Sequence, residues 1–403
     1  MNPLLEKLQL YPFERLKELI TGVTPATNFK NISFGIGEPK HPTPQFIKEA
    51  FIEGLGGLSN YPATAGSDSL RDSIARWLER RHQLRNINSA KEVLPVTGSR
   101  EALFAFAQAV IDNRRPNAKV VCPNPFYQIY EGATLLAGAM PYYVDCDPAR
   151  NFAPDYASVP LDVWKEVQLV YLCSPGNPTG SVLGLADWQL LFELSDQYGF
   201  IIASDECYSE IYFDEENPPL GALAAAQKLG RSFNRLVVFS SLSKRSNVPG
   251  MRSGFVAGDP AVLKLFLLYR TYHGCAMNPA VQAASIAAWE DEVHVRLNRS
   301  KYIKKFQIVT PMLSEVLDVR LPDAGFYLWA CVDAKTGLSD KEFTCRLLAD
   351  YNVTVLPGSY LGRTAHWRNP GENYVRIALV ADIDECIEGA ERIVQFCQSL
   401  SSL

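Results

Sequence analysis

The reading turns on residues 235–258, RLVVFSSLSKRSNVPGMRSGFVAG. An apolar, β-rich run breaks at two serines, Ser241 and Ser243, which flank Leu242 directly before Lys244. A Pro249-Gly250 turn follows, then Arg252, then a second β-rich run, GFVAG. Serine hydroxyls donate to phosphate oxygens, a guanidinium binds them with two parallel bonds, and a lysine amine condenses with an aldehyde. The segment suits a phosphate dianion held beside a reactive carbonyl.

Working outward, strand-like AKVVC (118–122), MPYYVD (140–145), VQLVYLC (167–173) and GFIIASD (199–205) precede it. Helical segments such as SREALFAFAQAVID (99–112) and LADWQLLFELSDQYG (185–199) lie between them. That alternation predicts βαβ units and an α/β fold with a mostly parallel sheet. After residue 285 the texture changes. EDEVHVRLNRSKYIKKFQIVTPMLSEVL reads as one long amphipathic helix, interrupted near Pro311. Strand-like VRLP, GFYLWACV, VTVLPG and YVRIALV follow, then a last helix over 383–398. The division expected is an N-terminal arm and joining segment over 1–45, a large domain over 46–295, and a smaller α+β domain over 296–403.

Three further segments carry chemistry. In LVYLCSPGNPTG (169–180) a buried strand runs into a turn, where open α/β sheets place ligands, and Asn177 offers an amide donor. In IIASDECYSEIYF (201–213) Asp205 ends an apolar run, and a buried carboxylate needs a partner, such as a protonated ring nitrogen. Tyr208 lies three residues on. In PVTGSREALFAF (95–106) Gly98-Ser99-Arg100 opens a helix, whose free N–H groups make a phosphate seat. Tyr127, in CPNPFYQIY, offers a ring to stack on a planar ligand.

Composition narrows the function classes. The 403 residues hold 39 Lys plus Arg and 44 Asp plus Glu, a net charge of −5, so no basic surplus points to nucleic acid. With 47% hydrophobic and 21% charged residues the chain is globular. The opening MNPLLEKLQLYPFERLKELI mixes charges through its apolar residues, unlike a signal peptide, and no apolar run is long enough for a membrane span. The nine cysteines form no CxxC pair, so the expectation is reduced thiols in a cytoplasmic protein and no metal. Dinucleotide, P-loop, HExxH and GxSxG motifs are absent, which disfavours those chemistries.

Taken as a set, SLSK with Arg252 eight residues on, SPGNPTG and SDECY resemble the pyridoxal-phosphate aminotransferases of fold type I, class I/II. Asn177, Asp205, Lys244, Arg252 and Arg376 (in YVRIAL) fall in that family's order, and the likeness runs from ISFGIGEP (32–39) to the last helix. The resemblance implies a seven-stranded large-domain sheet and pyridoxal 5'-phosphate as cofactor. It implies that Lys244 bonds the cofactor and shuttles the substrate proton, and that Asp205 partners the ring nitrogen. Asn177 and Tyr208 would donate to the ring oxygen, and Tyr127 would stack on the ring. Ser241, Ser243, Arg252 and the amides of Ser99 and Arg100 would hold the phosphate. Arg376 would clamp the substrate α-carboxylate beside Gly37, and Tyr61 (in NYPATAGSDSLR) would reach the neighbouring subunit of a homodimer with shared sites.

Within the family, the opening segment, GIGEPKHPTP and SLSKRSNVPGMRSGFVAGD most resemble the proteobacterial succinyldiaminopimelate transaminases. These exchange an amino group with glutamate and 2-oxoglutarate in lysine and diaminopimelate synthesis. The alternatives are another class I/II aminotransferase (aspartate, aromatic or unsuccinylated diaminopimelate) or a β-lyase. A cofactor-sensing transcription factor on this fold needs an N-terminal DNA-binding domain, and here GIGEP begins by residue 35. A succinylated substrate needs one more cation for its far carboxylates, and Lys40, Arg100 and Arg245 are the candidates.

Overall fold

In the computed structural model, which describes residues 1–400, the apolar runs pair into one large sheet. Its strand order is Val93–Val96, Gly254–Gly258, Leu236–Ser241, Ile201–Asp205, Val167–Cys173, Lys119–Asn124, Met140–Asp147 and Ala153–Pro154. The five central strands from Leu236–Ser241 to Met140–Asp147 are parallel, and Gly254–Gly258 runs against both its neighbours. The expected seven strands are present, and the two-residue antiparallel Ala153–Pro154 extends the edge to eight.

Runs such as VQLVYLC lack a polar face because both faces of this sheet are covered. One face carries a core with Trp77, Trp164, Trp188 and Trp289, the other a core with Phe106, Tyr130, Tyr171 and Phe239. Chain order reverses between Lys119–Asn124 and Val167–Cys173, so a crevice opens beyond the carboxyl ends of the parallel strands.

A second, three-stranded antiparallel sheet joins Tyr327–Cys331, Tyr374–Ala378 and Leu356–Pro357. Ile32 and Phe34 share its core with Phe326 and Ile393, and Ile32–Ser33 pairs with Val353–Thr354. The helix Val293–Val316 is not interrupted at Pro311. Its buried residues Tyr302, Phe306, Val309 and Leu313 face the core shared with the helix Ile383–Leu400, and their burial offsets the roughly 3 kcal/mol cost of an interior proline. VRLP forms no strand; Asp318 alone bridges to Cys331, and Pro322 has no N–H for a ladder.

Candidate active site

The parallel strands deliver the chemistry at their carboxyl ends. Past Leu236–Ser241 the chain turns into the short helix Leu242–Arg245, capped by Ser241, whose Oγ accepts the Ser243 N–H at 3.1 Å. This turn faces Lys244 into the cavity, where Nζ donates to the Gly37 carbonyl at 3.1 Å. Burial holds the Lys244 ammonium down to about 8.

Beside it, Gly98 takes φ +96°, a backbone state that favours glycine, just before the helix Ser99–Val110. A Cβ there would lie 2.3 Å from Arg252 Nη2, so the guanidinium rests directly on the Gly98 backbone. Helix-start amides, the paired Ser241 and Ser243 hydroxyls (2.9 Å apart) and Arg252 thus form one cationic cradle.

Asp205, only 4% exposed, ends the strand Ile201–Asp205. Its carboxylate accepts from the Tyr130 hydroxyl at 2.7 Å and the Cys207 N–H at 3.2 Å, and burial still pushes its carboxyl pKa up. It forms no salt bridge among the described residues. Tyr130 is itself fixed by stacking on Tyr171, with ring centroids 5.0 Å apart. On the opposite lobe, Arg376 lies on Tyr374–Ala378, paired with Trp329. Its Nη1 donates to Asn177 Oδ1 and its Nη2 to the Gly35 carbonyl, both at 3.0 Å, and its plane covers the Tyr327 ring at 4.2 Å. The buried Arg376 Nε has no partner among the described residues, which leaves a donor facing no acceptor.

One cavity of about 870 Å³ is lined by Gly37, Ser99, Arg100, Tyr127, Asn177, Asp205, Tyr208, Ser241, Ser243, Lys244, Arg252 and Arg376. Tyr61 is outside it and fully exposed on this chain. Of the three candidate distal cations, Arg100 alone lines the cavity, where Nε donates to the Tyr127 hydroxyl at 2.7 Å. Lys40 pairs with Glu385 on the surface. Arg245 is buried against Trp77 and Trp289 and bonded to Glu292, so its charge serves packing.

Sequence reasoning missed Tyr130, Cys207, Tyr327 and Glu38. Cys207 donates to Ser99 Oγ at 3.1 Å, and the Tyr208 and Tyr327 hydroxyls lie 3.1 Å apart. Tyr130 had a signal, a second aromatic three residues beyond Tyr127. Tyr327 had none, because only the packing of the two sheets brings it to the cavity.

A family model for aminotransferase class I and II matches residues 30–393. The chain belongs to the class I and II aminotransferases. It is 32% identical over 366 residues to an LL-diaminopimelate aminotransferase of Aquifex aeolicus, covering 90% of each chain. An aminotransferase from Neisseria meningitidis superposes with a TM-score of 0.94 at 53% identity, over 98% of this chain and 100% of that one. A Thermus thermophilus protein described as a probable N-succinyldiaminopimelate aminotransferase superposes at 0.84 with 26% identity, over 95% and 99%.

Aminotransferases of this family use pyridoxal 5'-phosphate, and the cavity fits it. A cationic cradle that a Gly98 Cβ would fill suits a phosphate, and Asp205 is a buried carboxylate lacking a cation. An amine that burial holds down to about 8 completes the donor set for an aldehyde.

Proposed function

We propose that this aminotransferase exchanges an amino group between N-succinyl-LL-2,6-diaminopimelate and 2-oxoglutarate. The observation that carries the reading is that one cavity holds, besides Arg252 of the cradle, two further guanidinium groups, Arg376 and Arg100. Arg376 reads the α-carboxylate through its planar fork, with the close Gly37 backbone leaving room. Arg100 has no carboxylate partner among the described residues and reads the far carboxylate, present in both glutamate and the succinylated arm. The name of the Thermus protein supports this substrate, and that of the Aquifex protein supports its unsuccinylated relative.

In this reading the main-chain amides of Ser99 and Arg100, with Ser241, Ser243 and Arg252, would hold the cofactor phosphate. Tyr127 would cover the ring, Asn177 and Tyr208 would donate to its oxygen, and Asp205, steadied by Tyr130, would partner its nitrogen. Bound pyridoxal phosphate supplies an electron sink for the pair left when the substrate Cα loses its proton. Lys244 would hold the cofactor covalently at rest; once the substrate amine displaced it, its freed Nζ would take the Cα proton and give it up again across the substrate nitrogen. Tyr61 and the exposed Ile52 and Leu58 near it support a homodimer in which Tyr61 completes the partner's cradle. The buried thiols of Cys122, Cys146 and Cys386 support a reducing, cytoplasmic setting.

A second reading, unsuccinylated LL-diaminopimelate, is favoured by one observation: the exposed carboxylate of Glu38 lines the same cavity and suits a free distal ammonium. Mixing the holoenzyme with single amino acids and following its visible absorbance separates the two. Glutamate and the succinylated compound should discharge the absorbance, and LL-diaminopimelate poorly. Faster reaction with LL-diaminopimelate selects the second reading, and faster reaction with aspartate or an aromatic amino acid selects another aminotransferase. Pyruvate release would mark a β-lyase.

A further inference from the structure

Behind the cavity wall lies a second buried amine that the chemistry above leaves unused. Lys305, on Val293–Val316, is 1% exposed. It has no carboxylate partner among the described residues. Its Nζ donates to His41 Nε2 at 2.7 Å and to the Leu379 carbonyl at 3.2 Å, and sits 4.8 Å from the Tyr302 ring centroid.

The pairing fixes the histidine tautomer. An ammonium is a donor only, so His41 Nε2 must accept and the ring proton sits on Nδ1. Nδ1 donates to Asn298 Oδ1 at 2.8 Å, and Asn298 Nδ2 donates to the main-chain carbonyl of Lys244 at 3.3 Å. Asn298 Oδ1 takes a second bond from Asn247 Nδ2 at 2.9 Å, three residues past Lys244. Burial and the adjacent Lys305 hold His41 down to about 4, so the ring stays neutral, and burial holds Lys305 to about 8. A chain of buried donors and acceptors with consistent direction fixes orientation, at a desolvation cost that an apolar pair would avoid.

We propose that Lys305 and His41 are positioning residues for Lys244, acting through Asn298 to fix its main chain. Lys305 also ties that main chain to Leu379, three residues beyond Arg376, so the proton-shuttling amine and the carboxylate clamp share one brace. Lys244 must change partners in each half-reaction, and a fixed backbone confines the motion to its side chain. The inference rests on Lys244 being the cofactor-bearing lysine. The charged and titratable neighbours of Lys305, besides His41, are Cys386, Asp382, Lys301, Lys40 and Tyr302; those of Lys244 are Cys207, Arg100, Arg376, Glu38 and Asp205.

The test uses holoenzyme of Lys305→Met, Asn298→Leu and the double variant. Each single change should move the pH midpoint of the cofactor absorbance by about half a pH unit or more. Each should lower kcat about tenfold with KM changed less than about twofold, and the double variant should be no worse than the poorer single one. An unmoved midpoint with only a lower Tm, or additive losses in kcat, overturns the proposal. Nitrogen-15 NMR of the unmutated protein gives an independent measurement should a variant fail to fold. His41 should show a neutral ring protonated at Nδ1 throughout about pH 5.5–7.5, and titration near its ordinary 6.5 overturns the brace. Borohydride reduction separates the failures: labelling of another lysine removes the reading of Lys244 itself, whereas labelling of Lys244 with an unmoved midpoint removes the brace alone.

Discussion

At the scale of single residues, charge state decides the chemistry. With Lys244 held to about 8, the neutral-amine fraction at pH 7 rises from about 0.03% for an ordinary lysine to about 10%. Capture of pyridoxal phosphate by the cofactor-free enzyme should therefore speed up with pH and level off above about 8; a rate still climbing towards 10.5 would mean an unperturbed amine. The sign for stability is opposite to that of a salt-bridged lysine. Because the folded value lies below the unfolded one, burial destabilises the cofactor-free fold below about pH 8, and that cost fades as pH rises from there to 10.5. Asp205→Asn removes the buried carboxylate proposed to face the ring nitrogen. The half-reaction with glutamate should slow by about a hundredfold or more while cofactor remains bound through the cradle, and near-normal rates would refute its role. Arg376→Lys keeps the charge but loses the fork, so both half-reactions should weaken together, by about 2–3 kcal/mol. Selective loss for one substrate would place the α-carboxylate elsewhere.

At the scale of elements, the turns after strands matter more than the strands. Gly98 links Val93–Val96 to Ser99–Val110 with φ +96°, and a methyl group there would drive Arg252 off the cradle. Gly98→Ala should raise the Kd for pyridoxal phosphate by about tenfold or more, the worth of one charge-assisted bond, in a fluorescence titration. An unchanged Kd would show that Arg252 does not hold the phosphate. The helix Val293–Val316 makes the opposite point, since packing there overrides a local breaker. Leu313, beyond Pro311 and fully buried, anchors the continued helix. Leu313→Ala should cost about 2–5 kcal/mol in urea denaturation, and a loss under about 1 kcal/mol would mean the helix ends at the proline.

At the scale of the whole molecule, the cavity lies between two sheets, and large side chains stand exposed outside it. Tyr61 is fully exposed, as are much of Ile52 and Leu58. Mixed dimers of Tyr61→Phe and Lys244→Ala chains should place both defects in one site and leave the other site intact, so activity should reappear on mixing two inactive preparations. Full activity of a monomer at assay concentration would exclude a shared site.

The cavity-lining residues that lie in short contiguous segments were legible without coordinates. Ser241, Ser243, Lys244 and Arg252 stand within twelve residues, and Asn177 and Asp205 each follow an apolar run, so local order alone placed them at strand ends. The α/β alternation was legible for the same reason, because periodicity is a property of neighbours in the chain. Contacts over long separations were not. Only the folded chain decided that Arg100, and neither Lys40 nor Arg245, faces the cavity, because three exposed-looking cations differ in nothing a sequence displays. Only the fold brought Tyr130 to Asp205 across 75 residues and joined Lys305 to His41 across 264. The helix through Pro311 belongs with these, since buried side chains from a distant helix outweigh the local cost of a missing N–H.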